Sequence, residues 1–207
     1  MGARFLDDEA RAAFKQAIEA VENASAVEVV IAVRRRSARY GHANVAVGAG
    51  LAFVGLAVML YAPHTFSLSS ILIDPFVVAL ITGGLIELTP ALKRWLTTPA
   101  ARRRHVAHAA RATFVERGVH STTGRSGILV YISWLERQVA LVADTGIAGA
   151  LPEGAIATLE NELTAAMRGG GAAVARRLEA AAPVMAAALP HRDDDVNELP
   201  DALDEGT

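Results

Sequence analysis

Hydrophobic positions along this chain follow two different rules, and the change of rule marks its organisation. From Asp7 to Asn23 they recur at helical spacing: Phe14, Ile18 and Val21 share one face, while Asp7, Asp8 and Glu9 suit the positive end of a helix. Val27–Val33 (VEVVIAV) is a β-branched run of strand length, bounded by Asn23–Ser25 and by arginines. Ala101–Arg117 predicts a second helix with Val106, Ala110 and Phe114 on one side and Gly118 ending it. Gly127–Trp134 and Gln138–Ala143 read as two strands. Only Leu135, Glu136 and Arg137 separate them, so they form an antiparallel hairpin. Leu151-Pro152-Glu153 opens a helix to about Arg168, Gly169–Gly171 breaks it, and Ala172–Leu189 is a last helix with Pro183 as a possible kink.

Between Ala43 and Leu92 the amphipathic rule disappears, and so do lysine and arginine. Ala43–Ala62 is apolar but for Asn44, and as a helix it extends about 30 Å, enough to cross the hydrocarbon core of a bilayer. Leu68–Leu88 is of similar length and carries Asp74 and Glu87 near its two ends. Asp74-Pro75 reads as a helix start, since Asp caps free amides and proline at the first helical position lacks only an N–H that has no partner there. A re-entrant or surface helix is the alternative for this second run, because an uncompensated acid in lipid is costly. Arg34, Arg35, Arg36 and Arg39 precede the hairpin and Lys93, Arg94, Arg102, Arg103 and Arg104 follow it, with none in the turn Pro63–Ser67. The positive-inside rule then places both flanking parts in the cytoplasm.

The order of elements implies an α/β fold: a small mixed β-sheet with helices on both faces, interrupted by a two-helix transmembrane hairpin in its first crossover. Residues 1–42 supply the first helix and strand, 43–92 the hairpin, 93–190 the remainder, and 191–207 a loose acidic tail. Sheet assembly makes the same demand as charge. The first strand is too short to stand alone and must pair with strands that follow the hairpin, so both sides of the insertion lie on one face of the membrane.

Composition narrows the chemistry. With 207 residues, 52% of them hydrophobic, the chain holds one modest α/β domain and the hairpin. A net charge of −2 argues against a dedicated nucleic-acid binder. The absence of cysteine excludes disulfides, thiolate zinc sites and a cysteine nucleophile.

Several phrases carry a resemblance. Ser25–Ile31 (SAVEVVI), Phe114–Thr123 (FVERGVHSTT), Arg125–Arg137 (RSGILVYISWLER), Ala143–Ile147 (ADTGI) and Asp195–Asp201 (DVNELPD) resemble the TPM domain family, and its bacterial membrane-protein branch in particular. That resemblance implies a TPM-like α/β/α layer with a transmembrane insertion. Some plant thylakoid members of the wider family are described as acid phosphatases with a calcium-binding domain, so it also implies that phosphatase chemistry is open to this fold. A fold or a family label is not a site.

If the first two strands are parallel and the third antiparallel to the second, then Ser25, Arg125, Ser126 and Asp144 gather at one end of the sheet, with Glu28 just inside it. Glu136, Arg137 and Arg34–Arg36 gather at the other, from which the hairpin departs, so the Asp144 end faces away from lipid. Asp144 is the leading candidate, as a catalytic or a metal-binding residue. Followed by Thr145-Gly146, its carboxylate suits Ca²⁺ or Mg²⁺, with Glu28 or Glu153 as further ligands and Arg125 to offset phosphate charge. The plainer alternative is that Asp144 caps a turn and Arg125 makes a surface ion pair. His105 and His108 share a helix face, but no third ligand is placed, and their arginine neighbours favour a solvated or headgroup-facing surface. His120 reads as a loop residue rather than a base. Gly169–Gly171 follows a helix and lacks a P-loop lysine, so it reads as a joint rather than a phosphate cradle. Asp193, Asp194 and Asp195 read as a solvated, cation-attracting run.

The function expected from these residues is a cytoplasmic-facing binding or assembly module, in membrane-protein quality control or envelope maintenance, with a protein partner or a second copy. The alternative is a metal-assisted phosphatase acting through Asp144. A channel or transporter would need oligomerisation, with Asn44, Gly48, Gly50 and Gly55 packing helices.

Overall fold

The structure is a computed structural model that describes residues 5–38, 41–89, 91, 94, 97–191, 197–199 and 203–206, without the side chains of 41–44 and 87. Arg39, Lys93, Asp193, Asp194 and Asp195, and the side chains of Asn44 and Glu87, lie outside this description. The chain divides into two units, 1–37 with 100–207, and 38–99.

In the first unit the predicted elements form close to their expected bounds. Helix α1 spans Asp8–Ala24, with Asp7 as its cap: the Asp7 carboxylate accepts the Ala10 amide at 2.9 Å, satisfying one of the free donors at the helix start. Strand β1 is Glu28–Arg34. After the insertion come α4, Pro99–Glu116, a 3-10 turn at Val119–Ser121, β2 at Gly127–Ser133 and β3 at Gln138–Ala143. β1 and β2 pair in parallel, with Glu28 opposite Gly127 and Arg34 opposite Ser133, while β3 runs antiparallel to β2. The strand before the insertion is thus zipped along its whole length to the first strand after it.

Alternation along the strands builds two cores. Val29, Ile31 and Val33 of β1, with Ile128, Val130 and Ile132 of β2, join Phe14, Ile18 and Val21 of α1 and the later helices in the larger one. Val30, Ala32, Leu129 and Tyr131 face the opposite way and pack with Val106 and Ala110 of α4. Side chains take up three amides along the sheet edges. Glu22 of α1 accepts the Val29 amide at 3.0 Å, while on β3 the amides of Val139 and Leu141 donate to Thr164 and Glu160, both at 3.0 Å. Unpaired strand amides are templates for unwanted pairing, and these contacts satisfy three of them.

Four expectations change. A short helix α5, Thr145–Ala150, intervenes after β3, so the helix expected from Leu151-Pro152-Glu153 begins later, as α6 at Ala155–Ala166. The last helix is two: α7 at Gly171–Glu179 and α8 at Ala182–Ala188, with Pro183 in the first turn of α8, where its missing N–H costs no bond. The described parts of the acidic tail are docked rather than loose. Asp204–Gly206 forms strand β4, parallel to β1 with Ala32 opposite Asp204, giving the sheet order β3-β2-β1-β4.

The fourth change is in the second unit. Its helices are α2, Gly41–Tyr61, and α3, Leu68–Leu88, and α3 starts before Asp74-Pro75. Ser67 caps it by accepting the Ser70 amide at 3.1 Å, so Pro75 lies inside the helix. The stretch Leu68–Ile86 is long and apolar enough to cross a membrane; the apolar stretch Val45–Tyr61 is shorter. Large apolar side chains point outward on both helices, including Phe53 at 72% exposure and Leu80 at 78%.

Candidate functional site

The parallel pairing of β1 and β2 brings the expected residues to one end of the sheet. There the chain after α4 passes through Gly118 in the left-handed region and the 3-10 turn, then folds back into β2. Two glycines allow this loop to lie so close. A Cβ on Gly127 would sit 2.1 Å from the Val119 carbonyl oxygen, and one on Gly146 would sit 2.6 Å from the carbonyl oxygens of both Gly124 and Arg125. The Ser-Gly and Asp-Thr-Gly phrases are therefore contact points of the loop with β2 and with α5.

Asp144 closes the arrangement. Its backbone amide donates to Gly127 O at 2.9 Å, and its Oδ1 accepts the Thr145 amide at 2.7 Å, capping α5. The residue is 6% exposed, and its Oδ2 is buried without a hydrogen bond. The nearest cation is Arg125, whose guanidinium lies 3.5 Å from Oδ2 and donates to the His120 carbonyl at 2.9 Å. Arg125 holds a backbone φ of 52°, a conformation that costs a non-glycine residue energy. Its amide donates to Thr122 O, and its carbonyl accepts the Gly146 amide, both at 3.1 Å. Capping and ion pairing, the plainer roles, are both present. A buried carboxylate oxygen with only a long contact to a half-exposed guanidinium is left over.

The other candidates lie apart. Glu28 shares a strand row with Gly127, and Asp144 lies one strand further on, about 10 Å across the sheet. The Glu28 carboxylate instead receives the amides of Glu198 and Leu199, each at 3.4 Å. Glu153 lines a separate cleft of about 360 Å³, with Leu159, Glu162, Arg177 and Val184. Ser25 is buried and engaged at the end of α1, donating to Val21 O at 2.7 Å. Ser126 is buried, its amide held by Thr122 Oγ1 at 2.9 Å. His120 Nδ1 is buried without a hydrogen bond, and its ring lies 6.1 Å from that of Phe114. His108 is exposed and His105 partly buried on α4. Among the described residues no three His, Cys, Asp or Glu side chains cluster as a metal site. A Ca²⁺ or Mg²⁺ ion, which takes six or more oxygens, would meet one free carboxylate oxygen at Asp144 with a guanidinium beside it, so these residues do not fit such an ion.

Two features had no sequence signal. Thr123 binds a carboxylate: its amide and hydroxyl contact Glu198 at 3.0 to 3.2 Å, so the exposed turn beside Arg125 is an anion acceptor. At the opposite end Glu136 is buried and receives the Ser133 hydroxyl and, at 3.0 Å, the Ser37 amide. With the Trp134 and Leu135 amides donating to Arg34 O and Arg35 O, this fixes the point where the chain leaves β1.

No family model matches the sequence, and no curated protein matches it. A solved structure does: the NMR structure of BA42 protein from the psychrophilic bacterium Bizionia argentinensis is similar with a TM-score of 0.58 and 15% identity, over 98% of this chain and 96% of that one. At that identity the likeness shows the α/β fold.

Proposed function

We propose that this chain is a TPM-like α/β module anchored in a bacterial inner membrane, with its α/β unit on the cytoplasmic side, working by binding or assembly rather than catalysis. The observation that carries the reading is the helical hairpin between β1 and β2. Those strands are neighbours in one sheet, so the chain departs and returns on the same side, while the hairpin presents outward apolar residues such as Phe53, Leu60, Phe76 and Leu80. Contiguous apolar surface of this kind is unfavourable in water and at home in lipid. Arg34–Arg36 and Arg102–Arg104 flank the hairpin and favour the cytoplasmic orientation. The TPM assignment is supported by the fold likeness and by the quoted phrases falling at Gly127, Asp144 and Gly146, positions the loop geometry depends on.

The metal-assisted phosphatase is the second reading. The buried Oδ2 of Asp144, which has no hydrogen bond and only the 3.5 Å ion pair with Arg125, favours it. The separation of Glu28 and Glu153 from that atom weighs against it. Calorimetric titration of Ca²⁺ and Mg²⁺ into the detergent-purified protein, with phosphate-ester turnover on the same sample and on Asp144→Asn, separates the two. The module reading expects no turnover. Metal-dependent turnover that disappears in Asp144→Asn would overturn it.

A further inference from the structure

Helix α4 breaks a rule that α1 keeps. Behind its Asp7 cap, α1 carries Asp8 and Glu9 in the first turn, as the positive end of a helix favours. In α4 the first turn has no acid, and Arg102, Arg103 and Arg104 follow at once. Cations there oppose the helix dipole, so these arginines stand against local helix energetics, as groups serving something outside the helix do. The core does not use them either. The buried residues of α4 begin at Val106, so the turns before it run past the packed part of the sheet. Topology gives their place: β1 ends at Arg34, where the chain leaves for the hairpin, and α4 leads from the hairpin to Val119, which abuts Gly127 at the start of β2. The arginine end of α4 therefore lies at the end of the sheet from which the hairpin departs.

Charge pairing separates this face from the rest of the α/β unit. Arg11 meets Glu205, Arg34 and Arg117 meet Asp204, Arg125 meets Asp144, and Arg177 meets Glu162. Among the described residues no acid pairs with Arg103, Arg104 or Arg111, which are exposed on α4 together with His108. Arg104, His108 and Arg111 stand four and three positions apart and share one helix face. Arg35 and the turn residue Arg137 are exposed at the same end of the sheet, again with no acid paired to them among the described residues. The other face of the sheet is balanced, for at the start of α1 Asp8 lies 3.3 Å from Arg11 and Glu9 lies 3.7 Å from Arg176. The uncompensated positive charge is one-sided. We propose that this outer face of α4 binds anionic phospholipid headgroups through Arg103, Arg104 and Arg111. The inference rests on the membrane anchoring proposed above and adds a lipid preference to it. A basic cluster that follows directly on a membrane-spanning helix meets the anionic surface of the bilayer, and guanidinium forks match phosphate oxygens in pairs. A polyanion from solution fits less well, because the chain as a whole carries a net charge of −2.

Lipid selectivity of the full-length chain in phosphatidylcholine vesicles tests it. Phosphatidylglycerol and phosphatidylcholine, each spin-labelled on an acyl chain, are added in turn, and electron spin resonance reads the share of each that is slowed by contact with the protein. The proposal expects a preference of roughly fivefold for phosphatidylglycerol, falling towards equality in the variant Arg103→Gln, Arg104→Gln, Arg111→Gln. Equal shares of the two lipids in the unaltered chain would overturn it, and so would a preference that the variant keeps in full. If no lipid of either kind is slowed, the hairpin is not in the bilayer, which overturns the anchoring and this inference with it. All three substitutions are at exposed positions, and Arg104→Gln alone, with an intermediate preference expected, repeats the test if the triple variant does not fold.

Discussion

Helix α1 and helix α3 contain similar building blocks arranged for different solvents. In α1, Ala10, Phe14, Ala17, Ile18 and Val21 are buried on one face while Asp8, Glu9 and Lys15 stand outside. In α3 the apolar residues surround the helix, and Leu72, Phe76, Leu80 and Leu85 are exposed. The first arrangement draws its stability from removing apolar area from water against a sheet. The second leaves most of its large apolar side chains open around the helix, with Ile86 a buried exception. On the membrane reading proposed above, sheet and hairpin depend on different media, although the hairpin interrupts the sheet's own crossover.

That contrast is open to direct attack. Leu129→Ala empties a fully buried position of β2 and should cost the α/β unit about 2–5 kcal/mol, read as a lowered urea midpoint of Trp134 fluorescence in a Trp95→Phe background. Leu80→Ala removes the same atoms from an exposed position in α3 and should leave that midpoint unchanged; equal effects would abolish the distinction. Leu80→Arg should instead cost about 2.5–3.5 kcal/mol of membrane insertion, seen as loss of resistance to alkaline carbonate extraction with the α/β unfolding transition retained. Within the α/β unit, Asp144→Ala removes the cap of α5 and should destabilise by about 1 kcal/mol in the same urea titration, while Asp144→Asn, which keeps an acceptor oxygen, should lose less.

The smallest effects are in pH. Burial raises the Tyr131 phenol above its ordinary value of 10.0, so the folded state prefers the neutral form; stability is complete below that value and declines as pH rises past it. Glu205 is the mirror case. The hydrogen bond from Arg11 lowers its carboxyl below the ordinary 4.5, so its contribution is present above that value and fades as pH falls through the lowered one. Arg11→Gln should reduce the acid-side sensitivity slightly and leave the alkaline side unchanged in a pH series of thermal melts.

The strands are legible because β-branched runs sit between turn residues, while the parallel β1–β2 pairing enters the sequence reading only as a condition, which the structure meets. That placed Asp144 and Arg125 together correctly. Glu153 is expected as a further ligand beside Asp144, but helix α5 intervenes and Glu153 lines another cleft. The Thr145–Ala150 stretch is too short and too rich in small residues to show a helical period. β4 was invisible for a different reason. Asp-Glu-Gly has low strand propensity, and what holds it is a set of arginines distant in sequence, Arg11 by 194 positions from Glu205. Glu136 stands in the predicted β2–β3 turn with no sequence mark of its burial; its partner Ser37, which donates its amide at 3.0 Å, is 99 positions away.

The central claim is that a single α/β unit folds around a hairpin that crosses the membrane and returns. Site-directed labelling in intact cells with a membrane-impermeant maleimide tests it most directly, using Thr65→Cys in the hairpin turn and Asn161→Cys on α6 in the cysteine-free chain. The account predicts that position 65 reacts from outside the inner membrane, once the outer envelope is opened, and that position 161 reacts only after the inner membrane is permeabilised. Reaction of both positions from the same side would contradict it.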